Sequence, residues 1–127
     1  MNKIECPFCN VAEDRILVQT YSAIALLDKF PISPGHTLVI PGDHIAALME
    51  LPENDLNEIW LLVAYVRKLL IEKYKPDGFT IGIEEGAAAG QIIPHAHIHI
   101  IPRFKGDVPA PCGGIRWIIP EKAPIPE

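Results

Sequence analysis

Residues 94–103 read Pro-His-Ala-His-Ile-His-Ile-Ile-Pro-Arg, three histidines in strict alternation within an otherwise apolar run. No other stretch constrains the fold as strongly. On a β-strand alternate side chains leave the same face, so His95, His97 and His99 form one row, about 13 Å long at roughly 3.3 Å per residue. Ala96, Ile98 and Ile100 then point the other way, into a core. A row of imidazoles is costly to bury unless each ring has a partner or a task. The chain must therefore build a sheet with one apolar face and one face that carries chemistry.

The 127 residues are 49% hydrophobic, enough for one compact domain over 1–127 with a single main core. The formal charge is −5 and the cations are scattered, Arg103, Lys105 and Arg116 among them. Such a balance gives no phosphate-tracking surface and excludes nucleic acid as the expected partner. A small anionic ligand needs only a few convergent donors and is not excluded. The opening Met-Asn-Lys-Ile-Glu-Cys lacks the apolar stretch of a signal peptide, and Ile59–Ile71 is too short to span a bilayer and contains Arg67 and Lys68. A soluble, cytoplasmic protein without membrane contact is expected. Cys6 and Cys9 form one close pair and Cys112 stands alone, which argues against a disulfide framework and for a metal knuckle or a redox pair.

Apolar runs at 15–20 and 23–28 flank Tyr21-Ser22 and predict a hairpin, and 36–41 a third strand after the stiff Phe30–Gly35 turn. A helix is predicted over 52–74. Pro52 suits its first position, and Glu53 and Asp55 favour the positive end of the dipole. Leu56, Ile59, Trp60, Val63, Val66 and Leu70 supply its core stripe. Asp77-Gly78 ends the helix, 79–84 forms a fourth strand, and the histidine strand runs from about 92 to 101 after the small-residue loop 86–90. Residues 106–127 form an extended tail on a 1–105 core. The class is α+β: an antiparallel sheet of about five strands packed with one long and one short helix.

Three readings of the histidine row compete. Three rings on one face are not a packing pattern. Histidines at i and i+2 on a strand chelate metals well. A neutral imidazole can instead attack a phosphoryl centre and form a covalent intermediate that water later cleaves. Spacing alone leaves metal and nucleophile even.

The flanking residues separate them. Ala89-Gly90-Gln91 followed by the 94–103 segment resembles the signature of the histidine triad (HIT) family, and 28–41 (Asp-Lys-Phe-Pro-Ile-Ser-Pro-Gly-His-Thr-Leu-Val-Ile-Pro) resembles that family's other block. The resemblance implies a HIT-like fold, a homodimer, and a nucleotide hydrolase or nucleotide-binding protein whose ligand is a purine nucleotide. His97 would be the nucleophile on the α-phosphate, with His99 and His36 at the transferring phosphate and His95 supporting the row. Asp28 would accept from the ribose hydroxyls, and Gln91 with the 86–90 loop would lie along the phosphates. Phe8, Ile24 and Leu26 could face a base. The nucleotidyltransferase branch carries glutamine where this chain has His99, which favours the hydrolase branch. No metal is required for catalysis.

Two positions depart from the family pattern. Glu84 stands where asparagine or glutamine is common, and Ile92 where serine or threonine is. A carboxylate cannot donate to a phosphate and repels it. The resemblance therefore leaves open an alternative, a nucleotide-binding regulatory protein with weak catalysis. Bacterial members that carry a Cys-x-x-Cys pair combine it with two histidines, here His44 and His95. Cys6, Cys9, His44 and His95 would then close a tetrahedral structural zinc site with no open position.

Overall fold

The computed structural model describes residues 1–126. Five strands, β1 (Ile16–Gln19), β2 (Ala23–Leu27), β3 (Thr37–Pro41), β4 (Gly78–Ile83) and β5 (Ile98–Arg103), form one sheet in the order β1-β2-β3-β5-β4. All its pairings are antiparallel. The one α-helix among the described residues, α1 (Glu53–Tyr74), lies across β2, β3 and β5. Pro52 sits just outside it, with its carbonyl accepting from Leu56 N–H, so the ring's missing donor costs nothing there. The helix ends on Lys75, left-handed at φ 51°, before Asp77-Gly78 is reached.

The sheet has two covered faces. Toward the helix, Ala23, Ala25, Val39, Ile98 and Ile100 pack on Ile59, Leu62, Val63, Val66 and Leu70. Toward the N-terminal segment, Leu26, Leu38 and Ile40 pack on Cys6 and Phe8. Burial on both sides explains why every residue of β3 is inside. The alternation places His99 between Leu38 and Gly82 on the helix-free face, while Ile98 and Ile100 point to the helix as expected.

Four sequence expectations are corrected. The strand predicted from 92 begins only at Ile98, so His95 and His97 precede it. Their stretch is drawn off the ladder: Ala96 N–H donates to Ile45 carbonyl, and His95 Nε2–H to Pro41 carbonyl. Trp60 is not in the core stripe, being 38% exposed, and Leu62 takes that place. The short second helix is replaced by 3-10 turns of three to five residues. Two of those turns, Gly114–Ile118 and Pro120–Lys122, make the tail a closed knot rather than an extended run. Arg116 ties it by donating to the carbonyls of Lys122 and Ala123.

Two contacts fix the chain around the site. Gly35 has φ +86°, and a Cβ there would lie 2.8 Å from Tyr74 Cδ2, so only glycine turns the chain into His36 and β3 at this point. Glu58 on α1 accepts from Thr20 Oγ1, Ser22 N and Ser22 Oγ, each at 2.6 Å, and those bonds hold its carboxyl below the usual range. That clamp ties the helix to the β1–β2 turn, where Tyr21 is fully exposed.

Candidate active site and metal centre

The five histidines separate into two clusters. In the first, Cys6, Cys9, His44 and His95 offer ligand atoms that all lie within 4.8 Å of one another. His95 Nδ1 is 3.5 Å from both Cys6 Sγ and Cys9 Sγ, and His44 Nδ1 is 3.3 Å from Cys9 Sγ. Zn–S arms of about 2.3 Å and Zn–N arms of about 2.0–2.1 Å at a tetrahedral angle give an S···N edge of roughly 3.5 Å. The second ring nitrogens match as well. His95 Nε2 lies 2.8 Å from Pro41 carbonyl and His44 Nε2 3.3 Å from Met1 carbonyl, so both donate outward and leave Nδ1 lone pairs aimed at the thiols. The donor set fits zinc. Burial and the neighbouring Cys6 push the Cys9 thiol up.

The second cluster is a chain of hydrogen bonds. His97 Nδ1–H donates to the carbonyl of His95 at 2.9 Å, which leaves Nε2 with its lone pair on a ring that lines an open cleft. Ile32 N–H donates to His36 Nδ1 at 3.2 Å, so the proton of a neutral His36 sits on Nε2. That nitrogen lies 2.9 Å from His99 Nδ1 and 3.4 Å from Asp28 Oδ2. The His99 proton is then on Nε2, 3.5 Å from Glu84 Oε1. One backbone N–H thus fixes the tautomers of both rings. Burial lowers the pKa of His36, against a pull upward from Asp28. Burial also lowers that of His99, helped by His97 and His36 and opposed by Glu84 and Asp28. Neutral rings suit this chain.

The two clusters touch through His95 and Phe8. His95 is fully buried; its ring faces the cysteines, and only its carbonyl serves His97. The Phe8 ring, carried between the two cysteines, packs 5.8 Å from His95 and 5.0 Å from His97 by ring centroids.

A cleft of about 430 Å³ opens over His97, with Phe8, Leu38, Ile92 and Ile93 as its apolar wall and Arg15 and Lys29 among its rim. Asp28, Glu84 and His99 line it too. Phe8 is therefore placed where a base could lie, whereas Leu26 is fully buried in the core and Ile24 packs against that same core. Gln91 is not in the cleft. Its amide donates to Ala46 and Ile93 carbonyls and its oxygen accepts from Gly86 N–H, leaving no donor for a phosphate. It braces the 86–90 loop through these bonds. Sequence reasoning missed Arg15, which ends the 3-10 turn just before β1, and Ile115, Ile118 and Ile119, which line a second cleft from a distant tail.

A HIT domain profile matches residues 10–106. The chain belongs to the histidine triad family. An uncharacterized HIT-like protein of Saccharolobus solfataricus is 37% identical over 106 residues, 80% of this chain and 76% of that one. The asymmetrical bis(5'-nucleosyl)-tetraphosphatase of Schizosaccharomyces pombe is 36% identical over 93 residues, 73% of this chain but only 51% of its own length. A zinc-bound histidine triad family protein from Mycobacterium smegmatis superposes with a TM-score of 0.76 at 29% identity, over 86% of this chain and 82% of that one. The match starts after Cys6 and Cys9 and ends before the tail, so the cysteine pair and the tail's share of the second cleft's wall lie outside it. No described helix is long and apolar enough to cross a membrane.

Proposed function

We propose that this HIT protein is a nucleotide hydrolase that attacks the α-phosphate of a nucleoside phosphoramidate or a dinucleoside polyphosphate through a covalent nucleotidyl-His97. The observation that carries this reading is the bond from His97 Nδ1–H to the His95 carbonyl, which leaves Nε2 as the free, nucleophilic nitrogen. That nitrogen bonds to phosphorus as the leaving group departs. Water then attacks the phosphorus, the bond to His97 breaks, and the nucleoside monophosphate is released. His99 and His36 stand at the transferring phosphate. Asp28, with Oδ1 accepting from Phe30 N–H and Oδ2 beside His36, keeps acceptor capacity for ribose hydroxyls. A purine would lie against Phe8, Leu38 and Ile93.

Cys6, Cys9, His44 and His95 would hold a structural zinc. Bound there, the ion cross-links the N-terminal segment to the loop after β3 with no coordination position left for substrate. The chemistry itself needs only the chain's own groups. A homodimer in the cytoplasm, with no nucleic-acid partner, is the expected setting.

Mass spectrometry under alkaline quench, which preserves an N-phosphoryl imidazole, after mixing with an adenosine phosphoramidate tests the reading. A nucleotidyl adduct on the 94–103 peptide is expected, absent in His97→Ala. Hydrolysis by His97→Ala at the wild-type rate rules the reading out. A second reading, a nucleotide-binding regulatory protein with little turnover, draws on Glu84 beside His99, on Ile92 without a hydroxyl, and on the engaged amide of Gln91. Nucleotide binding without product across phosphoramidates and dinucleoside polyphosphates would favour it.

A further inference from the structure

Glu84 is held where a phosphate-site residue should donate, and it can only accept. One oxygen is 3.5 Å from His99 Nε2, and the other rests over Gly90, where a Cβ would meet it at 2.8 Å. Gly90 has φ +95°, so the close approach of carboxylate and loop is built into the backbone. The half-exposed carboxylate, just after β4, thus lies between the row and the loop.

Glu84, Asp28 and His99 separate two clefts and line both. The cleft over His97 has the cations, Arg15 and Lys29. The other, about 650 Å³, runs over Gly82 and His36 and is walled by Ile101 of β5 and by Ile115, Ile118 and Ile119 of the tail. No lysine or arginine lines it among the described residues. Arg103 comes near, bonding Thr80 Oγ1 at 3.0 Å, but Asp107 engages its guanidinium at 2.7 and 3.0 Å. That pairing holds the Asp107 carboxyl down at about 2, so the cation stays matched at any working pH. A nucleotide in the first cleft would place its leaving group in the second, against apolar walls and two carboxylates. A polyphosphate there would meet like charge in a partly desolvated groove.

We propose that Glu84 is a specificity-determining residue that admits leaving groups with a positive charge beside an apolar body and rejects polyanionic ones. The inference rests on the nucleotidyl-His97 reading and narrows it to transfer from an amine. In the first step His97 Nε2 bonds to phosphorus and the P–N bond breaks. The amine nitrogen keeps the electron pair and takes a proton from solvent, with His99 Nε2–H donating a hydrogen bond to it. In the second step water loses a proton to solvent, its oxygen bonds to phosphorus, and the bond to His97 breaks. Glu84 lies against His99 Nε2 and faces the positive group that the leaving amine carries on its body.

Full-length protein should be assayed with three adenosine phosphoramidates of matched size, whose amines end in an ammonium, a methyl or a carboxylate. Diadenosine tetraphosphate, with and without Mg²⁺, completes the set. The expected order of kcat/KM is ammonium, methyl, carboxylate, with the extremes about 100-fold apart and the tetraphosphate lowest. Glu84→Gln should compress the ammonium-to-carboxylate ratio about tenfold or more, mainly through KM. Ile118 is 77% exposed, so Ile118→Lys is tolerated by the fold and should raise turnover of the carboxylate and tetraphosphate substrates several-fold. Equal rates for the three amidates, an unchanged ratio in both variants, or Mg²⁺-dependent tetraphosphate turnover above that of the amidates each overturns the charge filter. Hydrolysis that survives His97→Ala overturns the underlying reading instead, and the filter with it.

Discussion

His95 and His97 are two residues apart, yet they belong to regions that use imidazole in opposite ways. At the knuckle, both rings donate outward to backbone carbonyls and converge their lone pairs on two thiols. In the second cluster, a backbone N–H fixes His36, His36 donates to His99, and His99 points at a carboxylate, while His97 donates to the His95 carbonyl. The first arrangement gathers acceptors and so invites a cation. The second passes one proton position along a chain and leaves a single unshared nitrogen at His97. All three of His44, His95 and His97 donate one ring N–H to a backbone carbonyl, so under the proposed roles ligand and nucleophile differ in what the remaining lone pair faces, two thiols or the open cleft.

The sharpest way to break this contrast is to remove the unshared nitrogen. His97→Ala should lower turnover by on the order of 10⁴-fold or more while nucleotide binding, read by calorimetry, changes little. A comparable loss in binding would make His97 a ligand like its neighbour. At the knuckle, metal analysis should give one zinc per chain, and Cys9→Ser should lose it with a fall in melting temperature on the order of 10 °C. Because Phe8 and the His95 carbonyl connect the two regions, the same variant should also lower turnover. If melting falls and kcat stays, the regions are independent.

Much of this division was legible in the sequence, for identifiable reasons. Period-two alternation put Ile98 and Ile100 inside and His99 outside, and the pairing partners in the structure agree. The Cys-x-x-Cys spacing marked the cysteine pair, and the resemblance to the family supplied His44 and His95, whose ring nitrogens the structure brings to both thiols. The start of β5 was not legible, because the competing bonds come from Pro41 and Ile45, far away in sequence. Trp60 misled because it sits one helical step from Ile59, and a wheel without a partner cannot separate the two. The tail's role as a cleft wall depended on a fold-back fixed by Arg116, whose carbonyl partners carry no side-chain signal. Glu84 was visible as a departure, but its seat between His99 and Gly90 was not.

A smaller test concerns how the backbone delivers His36 to the reaction side. Gly35→Ala must place a Cβ against Tyr74 in a left-handed conformation, which should destabilise by roughly 1–3 kcal/mol in urea unfolding. Zinc content should be unaffected, since the four ligand residues lie on the N-terminal segment, after β3 and before β5. Coupled loss of zinc would mean that the two regions fold as one unit.

The smallest expected effect is on pH. His36 and His99 have folded-state pKa values below the ordinary imidazole value, so below that value the unfolded chain binds more protons than the folded one. Their contribution to stability is complete above the unfolded pKa and is lost as pH falls through it toward the folded values. The groups facing His99 are His97, His36, Glu84 and Asp28; the two histidines push its pKa down, and the two carboxylates pull it partly back. The urea midpoint should therefore decline between about pH 7 and pH 5. His36→Asn should flatten that decline, because it removes one of the two neutral rings. Glu84→Gln should steepen it, because the carboxylate is what raises His99. An increase in stability over the same window would mean that the pair is held as a cation, and the proton chain drawn from Ile32 through His36 to His99 would have to be reversed.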